Sequence, residues 1–213
     1  MKPTRIVIIA KAPIPGFCKT RLIPALGEHG AAQLAQRMLV RTVHTALATQ
    51  LGPVELCVTP GLQDFDWQGM GLPDGLVWSD QGEGDLGARM GRAAQRVTEK
   101  GEAIVLIGTD CPALDSPVLR SAAAALQRHE AALVPTADGG YALLGLHRFH
   151  PVLFDAMPWS TDAVAVETQR RLDRLGWRLC RLPTLHDIDE PHDLPWLPAE
   201  LRDDLPAFPC PTP

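Results

Sequence analysis

The chain has 213 residues, 46% hydrophobic and 21% charged, with a formal net charge of −5. That length suits one large domain, which hides roughly 70% of its extended surface on folding. The negative balance argues against a general nucleic-acid binder, which carries a broad basic surface, and no apolar run approaches the ~20 residues of a membrane span.

Five cysteines stand at 18, 57, 111, 180 and 210, with no C-x-x-C pair. A disulfide framework or a four-cysteine zinc site is therefore not expected. Cys57 and Cys180 lie in apolar runs and read as reduced core residues. No signal-peptide pattern opens the chain, so a cytoplasmic protein is the expectation.

In chain order, residues 5–10 form a continuous, β-branched run, apolar from Ile6 onward, as in a strand buried on both faces. The loop 11–21, Lys-Ala-Pro-Ile-Pro-Gly-Phe-Cys-Lys-Thr-Arg, follows. Apolar residues at spacings of three and four predict a helix over 28–50, stopped by Gly52-Pro53. Residues 54–59 read as a strand, 60–75 as an irregular connection and 76–78 as a short strand. A helix is predicted over 85–100, then a strong strand over 103–107 that runs into Gly108-Thr109-Asp110-Cys111-Pro112. Ser116-Pro117 reads as cap and first helical residue of a helix to about 128. Strands at 131–136 and 141–146 flank the turn Asp138-Gly139-Gly140. A helix over 161–175 and a strand over 177–182 precede an acidic, proline-rich segment. Residues 207–213 hold three prolines and read as a loosely ordered tail.

Alternating strands and helices predict an α/β domain with a mainly parallel sheet and helices on both faces. Ligands of such sheets sit beyond the carboxyl ends of the strands. The loops 11–21 and 108–112 are thus the places where chemistry is expected.

In the first loop, Lys11, Lys19 and Arg21 could grip a phosphate, with Gly16 allowing close backbone approach. The bland alternative is a solvated basic turn. Neither the P-loop spacing nor G-x-G-x-x-G is present. Asp110, at the end of a buried strand, is a metal-ligand candidate, since Mg²⁺ takes one or two carboxylates plus phosphate oxygens. It could instead cap its own turn. No histidine is placed to activate Cys111, so packing is its expected role. Asp138 either shapes its hairpin or also assists a metal or a sugar hydroxyl. The cluster His186-Asp187-Ile188-Asp189-Glu190-Pro191 offers a second ligand, Asp187 or Asp189; otherwise it leads into a short helix capped by Asp189. Gly84 and Gly87 flank a helix start that could face a phosphate or a base, and Asp85 could cap that helix.

Taken together, K-x-P-x-P-G-x-x-K-T-R-L, G-T-D-C-P, D-G-G-Y-x-L-x-G-L and D-I-D-E-P-x-D-L resemble a bacterial family of nucleotide-diphospho-sugar transferase-like proteins. Its members are described as glycosyltransferases, some tied to arsenosugar biosynthesis or to selenium- and radical-SAM-associated contexts. The resemblance spans residues 4–195. It implies the Rossmann-like GT-A fold, shared with 2-phospho-lactate and molybdenum-cofactor guanylyltransferases, as one nucleotide-binding transferase domain over 1–206. It also implies a nucleotide or nucleotide-sugar substrate, a small acceptor and Mg²⁺ or Mn²⁺. By that resemblance the 11–21 loop wraps the phosphates through Lys11 and Gly16. Lys19 and Arg21 offset developing charge, Asp110 and Asp187 (or Asp189) hold the metal, Asp138 joins the catalytic set, and Gly84 and Gly87 lie near base or ribose. The D-x-D triplet of many GT-A enzymes is absent at 108–112. The resemblance makes glycosyl transfer the leading expectation, with nucleotidyl transfer and a non-catalytic nucleotide-binding protein on the same fold as alternatives.

Overall fold

A computed structural model describes residues 3–203 and 205. The predicted 207–213 tail and Cys210 lie outside the described residues. Seven strands form one sheet: β1 (Thr4–Lys11), β2 (Val54–Thr59), β3 (Val77–Asp80), β4 (Ala103–Ile107), β5 (Ala131–Pro135), β6 (Tyr141–Leu146) and β7 (Leu179–Arg181). Their spatial order is β3-β2-β1-β4-β6-β5-β7. Only β6 runs against its neighbours, because the Asp138-Gly139-Gly140 hairpin returns it antiparallel to β5 and so beside β4. The expected mainly parallel α/β sheet is thus observed.

The continuous apolar strands are explained by burial on both faces. From β1 and β4, Ile6, Ile8, Val105 and Ile107 join one core. That core includes Leu39 and Val43 of α1 (Ile23–Leu47) and Leu119 of α3 (Ser116–Ala125). Val7, Ile104 and Leu106 join the other core, with Met90 and Val97 of α2 (Leu86–Glu99) and Leu172 of α4 (Val164–Arg174). A third cluster packs Leu22, Leu34 and Met38 against Ile188, Leu194 and Leu197, which binds the acidic carboxyl-terminal segment to the first helix.

Several boundaries differ from the sequence reading. The first helix begins at Ile23, five residues earlier than expected, with Pro24 in its first turn and a break at Gly27 (φ 71°). Proline's fixed φ suits a helix start, so the basic loop leads directly into the helix. Helix α3 is capped by Asp115, whose Oδ1 accepts from the Val118 N–H at 2.9 Å. Ser116 instead donates to the Thr45 carbonyl, and the helix ends at Ala125 rather than near 128. Helix α4 starts at Val164, after an irregular turn rather than at 161, and β7 is shorter than 177–182 because it pairs only along β5. Strand β3 covers 77–80 instead of 76–78, following its pairing with β2. Cys180 is only half-buried on the short edge strand β7, whereas Cys57 is buried as expected. The described cysteines 18, 57, 111 and 180 are all unpaired. No helix among the described residues is long and apolar enough to cross a membrane.

Candidate functional site

Strands β1 and β4 are adjacent, and connections leave them toward opposite sides of the sheet. Their carboxyl ends therefore flank a switch point, where open α/β sheets hold ligands. A cleft of about 520 Å³ opens there.

Lys19 sits at the bottom of the basic loop in left-handed backbone (φ 46°). Its side chain is 7% exposed. The ammonium lies 2.6 Å from Asp110 Oδ1 and 3.5 Å from Asp189 Oδ1, and donates to the Ile188 carbonyl at 2.6 Å. Burial lowers the pKa of Lys19, but Asp110 and then Asp189 outweigh it and hold the group above its ordinary value. Arg21 Nη1 meets Asp189 Oδ2 at 2.6 Å, and its side chain is exposed to the cleft. Two loop cations and the carboxylates that follow β4 and β7 therefore converge.

Backbone ties make that convergence rigid. The Ile188 N–H donates to the Asp110 carbonyl at 2.8 Å, and Cys111 Sγ donates to the His186 carbonyl at 3.2 Å. The segment 186–189 is thereby laid along the 108–111 loop. Burial pushes the Cys111 thiol up to about 12, which leaves it a packing residue, as its sequence context suggests. Asp193 accepts from the N–H groups of Asp189 and Glu190. Glu190, not Asp189, caps the 3₁₀ turn Pro191–Trp196, which leaves the Asp189 carboxylate to the two cations.

Asp187 faces the cleft. Burial, with Asp138 next, pushes its carboxyl up to about 6. Asp138 accepts from Thr136 Oγ1 at 2.5 Å and from the Gly140 N–H at 2.9 Å, so it both shapes its hairpin and lines the cleft. Gly139, at φ 90°, could not carry a side chain, which would overlap the Asp162 backbone. Among the described residues no cluster of three or more His, Cys, Asp or Glu could hold a metal by itself. The set fits a divalent ion differently: all-oxygen donors, with the half-buried Asp187 carboxylate beside a second one, favour Mg²⁺ or Mn²⁺ completed by phosphate oxygens.

Lys11, Gly16, Gly84 and Gly87 are not brought into the cleft wall. Lys11 donates to the Phe17 carbonyl at 2.5 Å, and Gly16 (φ 78°) lies beside the Glu28 carboxylate; both shape the loop. Asp85 caps α2 as expected, accepting from the Ala88 N–H at 2.8 Å. Arg92 holds the Gln81 and Glu83 carbonyls, which fixes the 81–84 loop. A side chain at Gly87 would overlap the Phe154 carbonyl and come within 2.7 Å of Trp159 Nε1, so that glycine permits close packing. The sequence reading missed the opposite wall: Ile9, Leu86, Met90, Tyr141 and Trp159. Tyr141 is the chain's single tyrosine and directly follows the Asp138-Gly-Gly turn, a signal that could have marked it.

The chain was also compared with known proteins. A protein of Desulfovibrio desulfuricans G20, described as a candidate nucleotide-diphospho-sugar transferase, is 30% identical; the match covers 96% of this chain and 90% of that one, with a TM-score of 0.86. The 4-diphosphocytidyl-2C-methyl-D-erythritol synthase of Anaerococcus prevotii DSM 20548 is 13% identical, covering 94% and 99%, with a TM-score of 0.61. Rv0371c of Mycobacterium tuberculosis H37Rv, in complex with manganese, is 17% identical, covering 91% and 96%, at 0.54. These last two show a shared fold. No functionally curated protein matches the sequence. Residues 42–161 match the family described as "Uncharacterized protein conserved in bacteria (DUF2064)". With more than half its length in that match, the chain belongs to the DUF2064 family, and its Rossmann-like architecture is the one found in nucleotide-sugar transferases and cytidylyltransferases.

Proposed function

We propose that this protein is a nucleotide-utilising transferase that moves a glycosyl group from a nucleotide-sugar to a small acceptor with the help of Mg²⁺ or Mn²⁺. The observation that carries the reading is the convergence of Lys19 and Arg21 with Asp110, Asp187 and Asp189 at the mouth of β1 and β4. Six carboxylates and few cations in one cleft repel a bare diphosphate, so an intervening cation is required for it to bind. Asp110 and Asp187 would hold that ion. When bound, it would stabilise charge on the departing diphosphate. Arg21, exposed and planar, is suited to a phosphate oxygen pair. Lys19 is held too deeply to travel far; it fixes the positions of Asp110 and Asp189.

Glycosyl transfer is favoured because the 30% identical relative is described as a nucleotide-diphospho-sugar transferase. The alternative is nucleotidyl transfer from an NTP to a phosphorylated acceptor, as the cytidylyltransferase-type relative suggests. A panel of NTPs and nucleotide-sugars, with and without Mn²⁺, tests both by thermal shift. A ligand at a hundredfold excess over its Kd should add about 2.7 kcal/mol of stability. Released nucleoside diphosphate identifies glycosyl transfer, and pyrophosphate identifies nucleotidyl transfer. Asp110→Asn should retain the fold and lose turnover. A panel without any shift would overturn the reading; binding without turnover on any acceptor would leave a nucleotide-binding protein.

A further inference from the structure

A cavity of about 680 Å³ lies apart from the cleft, and the two share no lining residue. It is formed by residues 62–68, in the connection after β2, together with Trp78 of β3, at the open edge of the sheet. Phe65 and Trp78 are half-buried in its wall. Buried Trp67 meets both rings, at 4.9 Å and 68° from Phe65 and at 6.3 Å and 55° from Trp78. Rings so steeply inclined make the sides of a hollow, not a stack. Trp67 is itself fixed, since its Nε1 donates to the Pro60 carbonyl at 3.2 Å.

The surroundings of these rings are acidic and uncompensated. Asp64 and Asp66 line the cavity, and Asp80 accepts from the Leu62 N–H at 2.7 Å. Residues 42–88 contain no lysine or arginine. Among the described residues, none of these three carboxylates has an ion pair. An anion would be repelled here, and a neutral apolar group would strip water from carboxylates that have nothing to pair with. A cation is drawn both by the carboxylates and by the negative faces of the rings. A primary ammonium is strongly hydrated. A quaternary one holds water weakly, has no N–H to satisfy, and suits aromatic walls. The volume is that of a small-molecule site. We propose that this cavity binds the quaternary ammonium group of a small molecule, seated against Phe65 and Trp78 and balanced by Asp64 and Asp66. No cleft residue takes part, so the site stands independently of the transferase reading.

The test titrates the full chain with tetramethylammonium, with choline and with dimethylbutanol, the neutral carbon isostere of choline, following tryptophan fluorescence and calorimetry. Both cations should bind saturably, and the isostere about tenfold more weakly or not at all. Phe65→Leu, which keeps an apolar side chain but removes the ring, should weaken choline about fivefold, the value of one cation–π contact. Asp64→Asn should weaken it as well, and because Asp64 is exposed that variant should fold as wild type does. Asp187→Asn, in the cleft, should bind choline unchanged. Absence of saturable binding by either cation overturns the proposal. Equal binding of the isostere overturns it by showing an apolar groove only. Weakening in Asp187→Asn but not in Phe65→Leu or Asp64→Asn overturns it by moving the cation to the cleft. A dimer in sedimentation that Phe65→Leu dissolves overturns it too, since a second copy would then fill the cavity.

Discussion

At the residue scale, the cleft is governed by how few cations face its carboxylates. Lys19 neutralises Asp110 and part of Asp189, and Arg21 takes the rest of Asp189. Asp187 is left with burial and the neighbouring Asp138, which together push it up to about 6. A raised carboxyl favours the folded state most when protonated. Its charge therefore costs stability as pH rises from the ordinary aspartate range through about 6. Asp187→Asn should then melt higher than wild type at pH 8, on the order of 2–4 °C, the shift that about 1 kcal/mol gives in a chain of this size once screening is allowed for. Near pH 4 the two should melt alike. The same variant should lose the Mn²⁺-dependent part of nucleotide binding. Differential scanning fluorimetry across pH, with and without the ion, measures both effects. The sequence named these carboxylates because an aspartate after a buried strand is visible in one dimension. That Lys19 would hold Asp110 was not visible, since 91 residues separate them and only the sheet order joins β1 to β4.

At the element scale, α2 links the two ends of the cleft. Its amino end carries Leu86 into the wall, its cap Asp85 is satisfied, and Arg89 and Arg92 reach back to the preceding loop. Two of its glycines make opposite demands. A side chain at Gly87 would strike the Phe154 backbone and crowd the Trp159 indole, whereas one at Gly91 would meet Phe154 at an ordinary 3.5 Å. Gly91→Ala should therefore stabilise the protein by about 0.5–1 kcal/mol, the helix propensity gained over glycine. Gly87→Ala should destabilise it and change tryptophan emission as Trp159 shifts. Urea unfolding followed by fluorescence distinguishes the two. Sequence periodicity predicted this helix within one residue of its observed start, because Asp85 caps it and alanines and valine repeat on one face. It could not distinguish the glycines, since their difference lies in a loop some seventy residues later.

At the scale of the whole molecule, the end of the sheet opposite the cleft is locked by charge. Glu55 is fully buried on β2 and meets Arg96 of α2 at 2.5 Å and Arg5 of β1 at 3.4 Å. Ser79 of β3 donates to it at 2.6 Å, and Arg5 also pairs with Glu102 ahead of β4. One carboxylate thus ties three strands and a helix. Burial pushes the Glu55 pKa up, but Arg96, Ser79 and Arg5 together bring it below the ordinary 4.5. A lowered carboxyl stabilises the fold above the ordinary glutamate range, and that contribution is lost as pH falls below it. Glu55→Gln should cost about 3–5 kcal/mol at pH 7, as expected when one member of a buried ionic cluster is removed. The gap from wild type should narrow as pH drops below 4.5. Denaturant titrations at pH 7 and pH 4 check this.

Local order in the sequence determined most of the fold here. Uninterrupted apolar runs such as 103–107 can be buried only on both faces, and alternation with amphipathic helices requires crossovers in a mainly parallel sheet. It also placed the chemistry after β1 and β4, where abrupt polar breaks follow such runs. The tertiary structure alone decided which residues meet. Strand order brought Lys19 to Asp110, and the packing of residues 186–189 along the 108–111 loop brought Asp187 into the cleft. The seating of Trp159 over Gly87 closed its far wall. The reason is physical: backbone propensity and periodicity act over a few residues, whereas contact, burial and pairing depend on distances in space that no short stretch of sequence encodes.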